Sequence, residues 1–233
     1  MKPWILPIEE HFIKIYGCRR TGTNFIFSLI DKNCLTTRCF DNQFGGKHTF
    51  PISDLKQQLK KLKNQHSDYK DYFEEVYYSF KSGTPLNSIV IIKNPYSWYW
   101  SIKRFVDKKI NQSFNFVNEY NYYNNFYSTL QDFSKNPNIY GEHFRKVFVL
   151  RYEDLLKYPE LNLKLICEEF GVPKPKKIII PNKVTMSKEF TASQRSFYLR
   201  EDHFDLPKDI ILNINRIIDW DLMTFYGYKK VNI

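Results

Sequence analysis

The sequence predicts an α/β fold: a single domain over residues 1–233, with a central, mostly parallel sheet flanked by helices in a P-loop-like arrangement. Three observations predict it. Short runs of β-forming apolar residues alternate with stretches of helical periodicity, which is the signature of βαβ units and a parallel sheet. One such run leads through a glycine-bounded loop directly into a helix, over residues 12–30. The chain has 233 residues, 42% hydrophobic and 18% aromatic, and can bury one full core.

Residues 1–11 read as a lead-in broken by Pro3 and Pro7. Phe12, Ile13 and Ile15 suit a first strand, and Phe25, Ile26, Leu29 and Ile30 recur at helical spacing. Leu35–Phe40 reads as a second strand, running into a polar, glycine-containing loop from Asp41 to Pro51. Ser53 or Asp54 suits the cap of a lysine-rich helix, and the spacing of Tyr72, Val76 and Phe80 predicts another over Tyr69–Phe80. Ser88–Ile92 carries an unbroken apolar run of the kind buried in a parallel sheet. Asn94-Pro95 ends it, and Trp98, Ile102 and Phe105 share one face of the helix that follows.

Residues 114–133, rich in Tyr, Asn and Phe, are assigned to a helix, and Val147–Leu150 to the next buried strand. Pro159 opens a helix through Phe170, closed by Gly171 and Pro173. Ile210, Ile211, Ile214, Ile217, Ile218 and Leu222 stripe one C-terminal helix. Ligands of such sheets bind beyond the carboxyl ends of the strands. The loops at 17–24, 41–51, 93–101 and 151–154 each follow a predicted strand, so they are expected along one edge.

A formal net charge of +10 favours an anionic partner: a nucleotide, a sulfated or acidic glycan, nucleic acid or a membrane surface. Much of the lysine is scattered over helix surfaces, where it serves solubility. Cys18, Cys34, Cys39 and Cys167 have neither CxxC nor metal-ligand spacing and read as reduced thiols. No run approaches the ~20 apolar residues of a membrane span, and the N-terminus lacks the apolar core of a signal peptide. The expectation is a soluble, cytoplasmic protein with no membrane span.

The glycine-bounded loop carries the chemistry. Gly17 and Gly22 permit backbone geometries that turn amides toward an anion, and the following helix N-terminus adds a partial positive charge. Their spacing is that of an ATP-binding P-loop, yet Thr23 and Asn24 stand where that motif needs Lys and then Ser or Thr. The cations lie earlier, at Arg19 and Arg20. A basic residue followed by Thr-Gly-Thr resembles the 5′-phosphosulfate loop of the sulfotransferase superfamily, whose members use 3′-phosphoadenosine 5′-phosphosulfate (PAPS) and need no metal.

Three further stretches extend the resemblance. Lys93-Asn94-Pro95, with Ser101 eight residues after the lysine, is similar to the superfamily's 3′-phosphate motif. Lysine stands where arginine is usual; it keeps the charge and loses the planar fork. Arg151-Tyr152-Glu153-Asp154-Leu155, with Pro159 and Phe170-Gly171, resembles the "YEDL…P…FLG" stretch. That likeness implies that Tyr152 approaches the adenine, while Glu153 and Asp154 cap the helix or pair with Arg151. Lys47-His48 with Pro51 resembles the Lys-x-His-x-Pro segment that carries the catalytic histidine, at altered spacing. Lys188 and Arg195 resemble a late loop over the nucleotide, and Gly227-Tyr228 the closing packing signature.

The resemblance implies a single sulfotransferase-like domain that moves a sulfuryl group from PAPS to a hydroxyl or amine by in-line displacement. His48 is expected as general base, with Arg20 and Lys47 stabilising developing charge. Arg19, Arg20, Thr21, Gly22, Thr23, Asn24, Lys93, Ser101 and Tyr152 are expected around the nucleotide, whose product is adenosine 3′,5′-bisphosphate. A metal and nucleic acid are not expected. The acceptor is left open among glycans and small molecules, with a lean toward carbohydrate. Two alternatives stay open: a P-loop nucleotide kinase or NTPase, and a non-enzymatic polyanion binder driven by the basic charge.

Overall fold

Four strands pair in one parallel sheet: β1 (His11–Tyr16), β2 (Thr37–Phe40), β3 (Leu86–Ile92) and β4 (Phe144–Arg151), in the order β2-β1-β3-β4. The computed structural model describes residues 11–40, 47–51, 83–110, 113–185, 188–189, 196, 199 and 206–233. The expected helices after Ser53 and over Tyr69–Phe80 lie outside these residues, as do the first part of the 41–51 loop and Arg195. Register across the sheet sets Ile15 opposite Ile89 and Ile91 opposite Leu150.

Alternation along β1 explains the two cores. Phe12 and Tyr16 point to one face, Ile13 and Ile15 to the other. On the second face lie α1 (Thr23–Asn33), α4 (Tyr152–Lys157) and α5 (Pro159–Phe170), contributing Phe25, Leu29, Leu155 and Ile166. The first face is covered by α2 (Pro95–Phe105), α3 (Phe116–Lys135), α6 (Lys208–Ile217) and α7 (Trp220–Phe225). The Tyr/Phe-rich stretch is α3, whose Tyr120, Tyr123, Phe126, Tyr127, Leu130 and Phe133 are buried at helical spacing. Its aromatics are therefore mostly core.

β3 lies between β1 and β4 and is buried at every residue, including Asn87 and Ser88. β4 differs from expectation. It is an edge strand among the described residues, so Arg145 and Lys146 face solvent while Phe144 and Leu150 are buried. The 151–154 segment is not a loop, because α4 begins at Tyr152 directly after β4. The C-terminal stripe is two helices, separated where the Asp219 carboxylate accepts the Leu222 N–H and starts α7. A short antiparallel pair, β5 (Lys183–Thr185) and β6 (Lys188–Glu189), completes the described strands.

The topology locates the site. From β1 the chain moves to β2 on one side, then returns past β1 to β3 on the other. The carboxyl ends of β1 and β3 therefore flank a switch point, the crevice where α/β sheets take their ligands. Gly17 and Lys93 are the residues that leave those two strands.

Candidate functional site

The loop after β1 is held from both sides. A Cβ on Gly17 would lie 2.7 Å from Ile91 Cγ2 and from Thr21 Oγ1, so only glycine lets β1 and β3 end this close together. Thr21 Oγ1 donates to the Cys18 carbonyl at 2.7 Å, and the Cys18 amide donates to Tyr127 Oη at 3.3 Å. Trp98 Nε1 donates to the Arg19 carbonyl at 2.7 Å. Trp98, which its apolar spacing marked as core, is thus also a fastening for the loop.

The backbone twists twice before the helix. Arg20 has φ 69°, the only positive φ of a non-glycine among the described residues, and Gly22 has φ 92°. Left-handed backbone at a side-chain-bearing residue costs roughly 1–2 kcal/mol and persists where the surroundings hold it. At Gly22 an added Cβ would sit 2.3 and 2.4 Å from the Tyr152 ring, so backbone and ring are in close contact. α1 starts at Thr23 without a side-chain cap, and helical geometry leaves the Thr23 and Asn24 amides without intrahelical acceptors. This is a cradle with the donor chemistry of a phosphate site.

The cations converge on it. Lys93 is 1% exposed, donates from Nζ to Ser101 Oγ at 2.7 Å, and lies 4.8 Å from the centroid of the Tyr152 ring. Burial holds its ammonium well below the usual lysine range; the Arg20 and Arg104 charges push it the same way, and Glu153 opposes them. Arg20 is exposed, with its guanidinium 5.6 Å from the Phe105 ring. Arg20, Lys93 and Arg104 thus act on one region, and Tyr152 joins the Gly17–Asn24 loop to the Lys93–Ser101 pair.

Arg19 takes a different course. Its guanidinium reaches Glu119 on α3 at 3.2 Å and lies 5.7 Å from the Tyr122 ring. The pairing turns this charge toward α3, so Arg20 is the loop's cation toward the crevice.

His48 is tied to the same loop. Its Nδ1 is 2.7 Å from the Gly17 carbonyl, and the Gly17 amide donates to the Lys47 carbonyl at 2.9 Å. A carbonyl only accepts, so Nδ1 carries a proton, and whenever the ring is neutral its lone pair is on Nε2. Lys47 Nζ donates to Asn24 Oδ1 at 2.8 Å, bringing a second cation to the start of α1. The expected His48–Lys47 segment and the expected loop are neighbours in space.

Among solved structures, a sulfotransferase domain from the curacin biosynthetic pathway is similar to this chain. The likeness has a TM-score of 0.47 at 11% identity, covering 96% of this chain and 99% of that chain. No family model matches the sequence, and no curated protein does.

The remaining expectations divide. Tyr152, expected against the adenine, is 3% exposed and buried between Gly22 and Lys93; its position is that of a spacer between the Gly17–Asn24 loop and the Lys93–Ser101 pair. Glu153 neither caps its own helix nor pairs with Arg151. It accepts from the Asn94 amide at 3.0 Å, Ser97 Oγ at 3.1 Å and Tyr228 Oη at 2.6 Å, fixing the turn after β3. Asp154 does pair with Arg151, at 3.5 Å. Tyr228 takes the packing role expected of it, with Arg151 stacked 4.7 Å from its ring. Cys34 and Cys167 lie 3.7 Å apart as buried free thiols. No helix among the described residues is long and apolar enough to cross a membrane.

Sequence reasoning missed Arg104, Glu119, Tyr122 and Tyr127. Arg104 had a usable signal, since it lies one helical turn beyond Ser101 and therefore on the same side of α2. The α3 residues had none, because they meet the loop and the His48 segment across 74 to 109 residues of chain.

Proposed function

We propose that the chain, as one sulfotransferase-like domain over residues 1–233, transfers a sulfuryl group from PAPS to a hydroxyl or amine of an acceptor by in-line displacement. The observation that carries this reading is the pairing, across one switch point, of the Gly17–Asn24 cradle with the buried Lys93–Ser101 couple. Two separate anion-holding elements about one buried ring suit a nucleotide phosphorylated at two places. When bound, PAPS supplies the sulfuryl group.

The chain's own residues do the rest. Amides and hydroxyls of Thr21, Gly22, Thr23 and Asn24 hold the 5′ side, with Arg20 offsetting charge that develops on the departing oxygen. Lys93 and Ser101 hold the 3′-phosphate. His48, with its proton on Nδ1 toward Gly17, offers Nε2 to the acceptor's proton. Lys47 assists at the N-terminus of α1. Arg19, paired with Glu119, positions the loop from outside. The acceptor is a glycan or small-molecule alcohol reaching the His48 side.

The test is release of adenosine 3′,5′-bisphosphate from PAPS in the presence of a panel of sugar, phenol and alkyl alcohol acceptors. Acceptor-dependent release that disappears in Arg20→Ala and Lys93→Met supports the reading. Magnesium-dependent ATP turnover instead would favour a P-loop kinase or NTPase. Steeply salt-dependent polyanion binding without any nucleotide affinity would favour the non-enzymatic alternative.

A further inference from the structure

Three phenols on α3 reach the backbone of three different site segments. Tyr122 Oη donates to the His48 carbonyl at 2.6 Å, Tyr123 Oη to the Lys93 carbonyl at 2.5 Å, and Tyr127 Oη to the Ile91 carbonyl at 2.9 Å. Tyr127 Oη also accepts from the Cys18 amide, as described above. One helix thus touches the ends of β1 and β3 and the His48 segment together.

The Tyr122 contact has the most direct chemical consequence. His48 is held through its ring by the Gly17 carbonyl, and through its own peptide by Tyr122. The Tyr122 ring is itself constrained, 5.7 Å from the Phe126 ring on one side and 5.7 Å from the Arg19 guanidinium on another. Glu119, one helical turn earlier, fixes that arginine. Burial holds the Tyr122 phenol well above its usual range, so it remains an O–H donor at neutral pH.

We propose that Tyr122 is a positioning residue for His48: its hydroxyl fixes the peptide that carries the imidazole, keeping Nδ1–H on the Gly17 carbonyl and the lone pair on Nε2. The catalytic half of this inference rests on His48 serving as base in the reaction proposed above. The structural half, a single imidazole tautomer set by the Gly17 carbonyl and held in place by Tyr122, stands without it. Losing the hydroxyl removes one hold on that peptide while leaving the ring in its packing, which loosens the Nδ1–H contact to Gly17 and makes both tautomers of His48 accessible.

Tyr122→Phe removes one oxygen. Nitrogen-15 spectra of the histidine rings at a pH where they are neutral report the tautomer directly, and His48→Gln identifies the His48 signals. The expected result is a single Nδ1–H tautomer in the native chain, becoming a mixture in Tyr122→Phe while the signals of the other four histidines stay in place. With PAPS and a working acceptor, kcat falls about 10- to 100-fold, the scale of a misplaced catalytic group, while nucleotide KM stays within about twofold. Tyr127→Phe gives the opposite split, raising nucleotide KM more than it lowers kcat. An unchanged His48 spectrum in Tyr122→Phe would overturn the proposal, as would a loss confined to nucleotide KM. A native chain that fails to bind adenosine 3′,5′-bisphosphate yet shows the tautomer change would overturn the sulfotransferase reading and leave the structural role of Tyr122 standing.

Discussion

Replacing Lys93 with methionine is expected to stabilise the protein and to weaken it as a nucleotide binder at the same time. Lys93 is almost wholly buried, and burial, joined by the Arg20 and Arg104 charges, disfavours its ammonium by more than the Glu153 carboxylate favours it. Methionine removes that cost together with the attraction to Glu153, and because the first is the larger the change is expected to be neutral or stabilising, by about 1 kcal/mol. In a chain of this size that raises the melting temperature by roughly 2–4 °C per kcal/mol. A charge-assisted bond to phosphate is worth about 1.5–3 kcal/mol, so affinity for adenosine 3′,5′-bisphosphate should fall roughly 10- to 100-fold.

The pH dependence follows with a definite sign. The folded pKa of Lys93 is depressed below its unfolded value near 10.5. Between the two, the unfolded chain holds the extra proton, so native stability rises with pH through that window. The penalty is fully present below the folded pKa and vanishes near 10.5. The advantage of Lys93→Met over the native chain should therefore be largest at low pH and shrink as pH rises. Thermal unfolding across pH, with calorimetry at neutral pH, measures both. A variant that is destabilised and binds the nucleotide normally would refute the reasoning, and would make Lys93 a structural counterion for Glu153.

Three further outcomes are expected. His48→Ala should lower turnover on the order of 10²–10⁴-fold with nucleotide affinity intact, read by steady-state kinetics beside calorimetry. Gly22→Ala should destabilise by several kcal/mol, since a methyl group at φ 92° meets the Tyr152 ring at 2.3 Å; Tyr152→Ala in the same chain should recover part of the loss in a denaturant titration. Arg20→Gly should relieve about 1 kcal/mol of left-handed backbone and raise the melting temperature, while turnover drops by the equivalent of about 3 kcal/mol.

The sequence was most legible where the signal is local. The β1–loop–α1 unit, the step from β3 to Lys93 and Ser101, and the Pro159–Phe170 helix are each written within some twenty residues, by apolar period, glycine spacing and proline. The edge position of β4 could not be read, because the alternation in Phe144–Arg151 is weak and pairing partners are not encoded nearby. The break between α6 and α7 was hidden by an isoleucine stripe that keeps helical spacing across it, and Asp219 is the cap that ends it. Arg19 and Arg20 look equivalent in sequence. Only Glu119, a hundred residues later, separates them. The burial of Tyr152 likewise depends on the left-handed turn at Gly22, a property of the assembled fold.

The most direct measurement is isothermal calorimetry of the native chain with adenosine 3′,5′-bisphosphate, set beside ATP with magnesium. The expected result is saturable binding of the bisphosphate without metal, weakened in both Arg20→Ala and Lys93→Met, and little or no heat from magnesium ATP. Binding of magnesium ATP alone, or bisphosphate affinity unchanged by either substitution, would contradict a site made from these two halves.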